Sequence, residues 1–381
     1  MIFLLIIIII SSNQYVVSEP PILDVQTNLT NTIFVQNSYD KEVSPCPLIF
    51  PSKNNRSIFN ATEIWKYQLF LSDIKLLEVD EPKEQMTVIM EVVQVWRDAR
   101  LTWKWEDWEN IIMIYTRLDK IWSPPFIVFG ASEVMEHRDQ ANRMVQIVHN
   151  GMIDSHIPLK LTTNCKLDMT DFPFDIQTCS IQIGLPSFNS KLFEISVDVP
   201  RDIAQSTNLG NSVWRVVKLT WESQEIKPED NKTDVIKMAV IKLHLKRNPI
   251  YYMYMIVLPT FVINSISMAG VFMKNGEKIQ IGLTHIMTLT FILGILADKL
   301  PKTEVIPFLG KYIIFGLCTM IFAIILSSQI DKLLHVVKNG KNVRRTPYRC
   351  IFIIWFQFIN LLGGVYVLLR LVDFEQRSGY D

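Results

Sequence analysis

CKLDMTDFPFDIQTC, residues 165–179, places two cysteines around a loop whose centre, Asp171-Phe172-Pro173-Phe174-Asp175, is apolar and prolyl. Surface loops are normally polar, because their backbone and side chains are hydrated. An apolar tip of this kind needs a surface to rest on. The cysteine count helps to place it. The chain has Cys46, Cys165, Cys179, Cys318 and Cys350. Cys318 and Cys350 lie in apolar runs and read as buried thiols, which leaves Cys165–Cys179 as the expected disulfide. Such a closure contributes about 3 kcal/mol in the chain-entropy account. Cys46 has no evident partner and is either free or paired between chains.

Working outward, the chain divides in two. Its 381 residues balance Lys+Arg 38 against Asp+Glu 38, so no global field favours nucleic acid. Apolar residues are 49% of the total but concentrate after residue 247. The N-terminus has an apolar run from Ile2 to Ile10, too short to span a bilayer and suited to a signal peptide over residues 1–18, although no Lys or Arg precedes it. A buried terminal strand is the competing reading. An exported region should be oxidised and glycosylated, and acceptor sequons begin at Asn28, Asn55, Asn60 and Asn231, all in the first half. Residues 19–60, rich in Asn, Ser, Pro and Thr, read as a loose N-terminal extension.

The second half, residues 249–372, holds four apolar segments, at about 251–272, 279–297, 312–330 and 350–372. Each is about as long as a helix must be to cross roughly 30 Å of hydrocarbon. The connection 331–349 carries Lys332, Lys338, Lys341, Arg344, Arg345 and Arg349 against one acid, Asp331, which makes it cytoplasmic by the positive-inside bias. Counting back places the N-terminal half outside, together with the tail 373–381. The second segment differs in kind. Steps of three and four from Glu277 give Gln280, Thr284, Met287, Phe291, Ile295 and Asp298, a stripe with an acid at each end. One reading is a buried helix with tolerated threonines. The other is a pore-lining helix, with acidic rings that attract cations and an apolar constriction at Met287 and Phe291. A single helix encloses no pore, so the second reading requires an oligomer.

Residues 61–248 carry strand signals. Thr87–Trp96 is rich in Val, Ile and Met, Ile241–Lys246 alternates, and Asn150-Gly151 sits between apolar stretches as a hairpin turn. No helical period is sustained from about residue 75 to 247. The expected fold is an extracellular antiparallel β-sandwich followed by a four-helix transmembrane bundle. Trp103, Trp105 and Trp108 read as core or loop packing before they read as a ligand cage. No metalloprotease, esterase or phosphate-loop motif occurs, so the chain is not expected to be an enzyme or to need a cofactor or metal.

At this point the residues resemble a known family. Cys165, thirteen residues and Cys179, with Phe172-Pro173 and Asp175 between, resembles the signature of the Cys-loop pentameric ligand-gated ion channels. Four membrane segments begin about seventy residues later, where that family has them. Further similarities are Trp96-Arg-Asp98-Ala-Arg-Leu101-Thr-Trp103, the Trp122-Ser-Pro124 turn, Asn248-Pro249, Leu258-Pro259 and Gly276-Glu277-Lys278. They span roughly residues 60–372.

The resemblance implies a homo- or, preferably, hetero-pentamer in the plasma membrane, with a small neurotransmitter-type ligand at subunit interfaces and a postsynaptic setting. It places the stapled loop at the base of the sandwich, with Phe172, Pro173 and Phe174 against the linker 299–307, including Pro301 and Pro307. Arg247 is then available to Asp171 or Asp175. Gly276-Glu277-Lys278 resembles the cation-selective acetylcholine-receptor branch. The ligand positions depart from that branch. Glu91 stands for a tryptophan, Pro125 for an aspartate, Phe129 for a tyrosine and Pro186, with Phe188 nearby, for another tryptophan. Residues 221–235 lack the adjacent cysteines and flanking tyrosines of agonist-binding subunits. The preferred implication is a non-agonist-binding subunit, and the other is an unusual ligand. Outside these lie an anion-selective member of the family and a non-conducting receptor or assembly partner.

Overall fold

The computed structural model describes residues 21–45 and 64–376, apart from 138, 140–141, 187, 189–192, 205–208, 227–234, 271–272, 274, 303 and 338–345. The expected signal peptide, Cys46, Asn55, Asn60, Asn231 and the tail from 377 lie outside the described residues.

Alternating burial builds the outer half. In β7 (Asn150–Asn164) every second side chain is buried, and its neighbour β2 (Gln85–Thr102) shows the same period through Met86, Val88, Met90 and Val92. The first sheet runs in the order β3-β6-β7-β2-β1-β9, with β5 also paired to β7. Its remaining members are β1 (Trp65–Asp80), β3 (Met113–Arg117), β5 (Ala131–Glu136), β6 (Met144–Val148) and β9 (Phe193–Asp198). The second sheet runs β10-β11-β8-β4, formed by Trp214–Ile226, Ile236–Arg247, Ile176–Gly184 and Ile127–Phe129. The two inner faces enclose one core that includes Tyr67, Trp96, Ile153, Ile181 and Leu243. The disulfide joins Cys165 to Cys179, with Cα atoms 5.1 Å apart.

The segment read as a loose extension is in part ordered. Helix α1 (Pro21–Asn31) and the π-helical turn Thr32–Gln36 bury Leu29 and Ile33, one turn apart on one face. Just beyond them, the Tyr39 hydroxyl donates to Asp98 at 3.0 Å, and Arg100 stacks 4.7 Å above the Tyr39 ring. Polar composition hid this helix, because only two buried apolar positions anchor it.

Below the sandwich stand four helices long and apolar enough to cross a membrane. The first is composite: α3 (Ile250–Tyr252), a π-helical turn Met253–Val257 and α4 (Leu258–Gly270). Pro259 has no N–H for the carbonyl four residues back, and the widened turn sits at that point. The others are α5 (Asn275–Lys299), α6 (Phe308–Val337) and α7 (Thr346–Gln376). All three extend past the expected apolar segments, because hydropathy marks the lipid-immersed part and not the helix ends. Pro347, in the first turn of α7, sits where a missing N–H costs nothing. Ser265 ties α4 to α7 by accepting from Gln357 and Asn360, each at 2.9 Å. The expected burial of Cys318 is corrected: its side chain is exposed on α6. In lipid an apolar residue gains nothing by facing inward, so an apolar run does not mark the interior.

Gly151 shows how tightly the β2–β6–β7 corner is drawn. Its φ is +83°, and an added Cβ would sit 2.4 Å from the Asp98 carbonyl oxygen. Gly151→Ala should therefore lower stability by about 1–3 kcal/mol, read as a reduced thermal midpoint of the purified chain. An unchanged midpoint would show that this corner relaxes freely.

Candidate coupling site and pore face

Four chain segments meet at the base of the sandwich, and a single guanidinium joins them. Arg247, the last residue of β11, is 1% exposed. Its Nε donates to Asp175 Oδ1 at 2.8 Å and a terminal nitrogen donates to Asp175 Oδ2 at 3.2 Å, a bidentate pairing. The other terminal nitrogen donates to Glu81, in the β1–β2 turn, at 2.9 Å. Trp214, Phe172 and Tyr252 surround the group, with ring centroids 4.0, 4.8 and 5.6 Å away. Burial opposes the charge, but the Asp175 carboxylate and then Glu81 outweigh it and hold Arg247 above its usual range. Gln177 fixes Asp175 from behind, donating at 2.7 Å to both Asp175 Oδ2 and the Asp168 carbonyl.

The stapled loop also meets the helices. The first amides of α6 have no partner within their own helix, and the loop supplies it. Phe308 N donates to the Thr170 carbonyl at 3.0 Å and Leu309 N to the Phe172 carbonyl at 3.1 Å. Phe172 lies edge-on to Tyr252 at 4.8 Å, and Phe174 lies 6.0 Å from Phe308 and 5.8 Å from Phe374. The loop thus rests on the start of α6, the end of α7 and α3, where the sequence reading put it against 299–307. Pro173 and Pro301 are buried and Pro307 is half-buried. The Pro307 carbonyl accepts from Lys311 N at 3.0 Å. Of the two carboxylates offered to Arg247, Asp175 takes it; Asp171 faces Arg370 at 4.0 Å. Lys246 donates to the Phe374 carbonyl at 2.6 Å, closing the end of α7.

All seven residues of the α5 stripe are exposed: Glu277, Gln280, Thr284, Met287, Phe291, Ile295 and Asp298. Met287 is 77% and Phe291 68% exposed, large values for apolar side chains with a bundle beside them. The opposite side of α5 buries Lys278, His285, Leu289 and Leu296. At 1.5 Å per residue, Glu277 and Asp298 stand about 32 Å apart along the axis, close to a bilayer core.

The four ligand-site positions fall on both sheets. Glu91, on β2, meets His156 of β7 at 3.1 Å. Phe129 ends β4 and is half-buried, while Pro186 is exposed just beyond β8. Phe188 belongs to an aromatic cluster, with Trp65, Trp122 and Phe193 at 6.3, 6.1 and 6.4 Å. These rings pack against one another. Trp103 donates to the Ile111 carbonyl at 2.7 Å as a loop anchor, and Trp105 is exposed. Asn28 is exposed on α1. No group of three metal-ligating side chains occurs among the described residues.

Sequence reasoning missed Glu81, Gln177, Tyr252, Lys246 and Phe374. Each has an ordinary local context, and only the fold brings them to Arg247 and the loop.

Comparison with known proteins agrees with this geometry. The family described as "Neurotransmitter-gated ion-channel ligand binding domain" matches residues 26–249, more than half of the chain. Neuronal acetylcholine receptor subunit alpha-9-I of Oncorhynchus mykiss is 28% identical over 67% of this chain and 44% of its own length. Subunit alpha-3 of Mus musculus is 25% identical over 84% and 63%, and subunit beta-2 of Rattus norvegicus is 27% identical over 74% and 56%. The chain therefore spans less than two thirds of the length of these relatives. A stapled loop bridging a two-sheet sandwich and four membrane-length helices, together with a family match over most of that sandwich, makes this chain a member of the neurotransmitter-gated ion-channel family.

Proposed function

We propose that the chain is a subunit of a pentameric, cation-selective channel of the plasma membrane, opened by an extracellular ligand. The observation that carries this reading is the exposed stripe on α5, polar at one end, apolar in the middle and acidic at both mouths. Repeated around an axis, Glu277 and Asp298 form rings that favour cations, and Met287 with Phe291 form a constriction that closes by dewetting. A non-conducting anchor has no use for either feature. Similarity to acetylcholine receptor subunits supports the same polarity of selection.

Ligand movement in the sandwich reaches the pore through the Arg247 node and the stapled loop, since both touch the helices directly. The ligand site itself favours a subunit that does not bind agonist alone and works beside related subunits. Glu91 is engaged by His156 and Phe188 by its aromatic neighbours, so neither is free to cage a quaternary ammonium. A postsynaptic location follows from this reading.

Three outcomes are expected. In voltage clamp, Met287→Thr wets the constriction and gives current without agonist, with a reversal potential that follows external sodium and not chloride. A shift with chloride would overturn the selectivity, and surface protein without current would require a partner subunit. In that background Glu277→Ala should move the reversal potential toward chloride; an unmoved potential removes Glu277 from the selectivity ring. At the node, Arg247→Ala strands two carboxylates and should cost about 3–5 kcal/mol, read by denaturant unfolding. Arg247→Lys should recover only part, because an ammonium cannot pair bidentately. Full recovery by lysine would show that charge alone matters there.

A further inference from the structure

A polar seam runs through the helical bundle. Thr260, Asn264 and Ser267 follow one another at helical spacing on α4, and all three are buried. A Cβ built on Gly316 of α6 would lie 2.7 Å from the Asn264 amide nitrogen, so these helices meet closely at that level. Tyr312 stands one turn outward from Gly316 on α6. His285 of α5 and Ser267 line an open cavity of about 360 Å³ that also has Gln280, Thr284 and Thr288 in its wall.

Both ring nitrogens of His285 are without a hydrogen-bond partner among the described residues, as are the Thr260 and Tyr312 hydroxyls and the Asn264 amide oxygen. A core histidine held for packing ordinarily has at least one partner, because each unmet buried group costs about 1–3 kcal/mol. His285 is 1% exposed and has neither. At membrane depth an ionisable side chain is a functional candidate by default.

Two threonines of the cavity wall can serve the protonated ring as acceptors. Thr284 and Thr288 donate their hydroxyl protons to the Gln280 and Thr284 carbonyls, at 3.0 and 2.8 Å. What these hydroxyls still offer is lone pairs. A neutral imidazole needs one donor and one acceptor opposite it, whereas an imidazolium carries two N–H groups and needs acceptors only. Thr288 lies three residues after His285, on the same side of α5. A torsional swing of the ring from the bundle interior toward Thr288 gives the protonated form an acceptor and vacates its place between α4 and α5. No other titratable group in the cavity competes for the proton among the described residues. α4 presents none, and α6 presents Tyr312 at the outer end of the seam. On α5 itself, Lys278 lies two turns away, with Nζ donating to Ser327 at 3.2 Å, and Glu277 sits at the mouth.

We propose that His285 is a proton-binding site inside the membrane that biases the pore helix, the proton reaching it from pore water past Gln280 and Thr284. Those two residues belong both to this cavity and to the pore face, so repacking beside His285 is felt in the pore. This rests on α5 being the pore helix. Protonation favours the repacked arrangement and, by loosening the α4–α5 contact, the conducting one.

The test uses the full chain in two measurements. In Met287→Thr, agonist-free current should rise by about twofold or more between about pH 8 and about pH 5.5, the window in which imidazoles titrate. His285→Leu and His285→Gln in that background should abolish the rise; glutamine keeps a neutral donor and acceptor and guards against a folding loss. In lipid nanodiscs, ¹⁵N-histidine spectra should contain one imidazole signal that titrates in the same window and is missing from His285→Gln. A signal that does not titrate overturns the proton site. A rise that persists in both variants, or a parent current indifferent to pH, overturns the coupling. Absence of current at every pH would call for co-expression with a partner subunit, while the nanodisc titration still decides the proton site.

Discussion

The burial of one guanidinium constrains how the two halves of this molecule are joined. Arg247 is removed from water and held by Asp175 and Glu81, with three aromatic rings around it. A charge in that position is tolerated only while its partners stay in place, because an unpaired ion in low dielectric is very costly. The β1–β2 turn, the stapled loop, the end of β11 and the end of α3 are therefore fixed relative to one another. None of these segments moves far without changing the field at Arg247. A site of this kind acts as a joint, since it has a small number of satisfied arrangements and a high cost between them.

The loop that supplies Asp175 also supplies carbonyls to the first turn of α6. A helix N-terminus has orphan amides wherever it begins, and here the outer domain meets that need. This explains the apolar composition that stands out in the sequence. Phe172 and Phe174 fill the space around those hydrogen bonds and exclude water from them, so a polar tip would weaken the contact it is there to make. Lys246 closes the far end of α7 in a related way, with its ammonium on the Phe374 carbonyl and 4.0 Å from the ring. The start of α6 and the end of α7 are thus both met by residues of the sandwich.

Much of this was legible in the sequence, for identifiable reasons. Richness in Val, Ile and Met gave β2, alternation gave β11, Asn150-Gly151 gave the turn between β6 and β7, and long apolar runs gave four helices. The α5 stripe was legible because it is a helical period with charged ends. What escaped depends on tertiary contact. Glu81 is one acid in an ordinary turn, and nothing local says that it faces a residue 166 positions away. Helix α1 escaped because two buried residues are too few to set a period. Cys318 was misplaced because apolar surroundings mean lipid as readily as core. His285 was visible as a polar residue in an apolar segment, but its two unpartnered nitrogens are a property of the packed bundle.

The coupling node and the ligand positions differ in how much change they tolerate, and the physics explains the difference. In the node every group depends on the others: loss of Asp175 strands Arg247, and loss of Arg247 strands two carboxylates. In an aromatic cage each ring contributes a separable share of cation–π attraction, so replacement of one costs affinity and leaves the fold intact. Two residues of the ligand positions have found other work here. Glu91 pairs with His156, and Phe188 packs among Trp65, Trp122 and Phe193. On the proposed function, a chain built this way keeps the parts that transmit a conformational change while its own ligand contacts are reduced. On that same reading, such a subunit would follow transitions started at other interfaces of the ring, with α5 taking part in them.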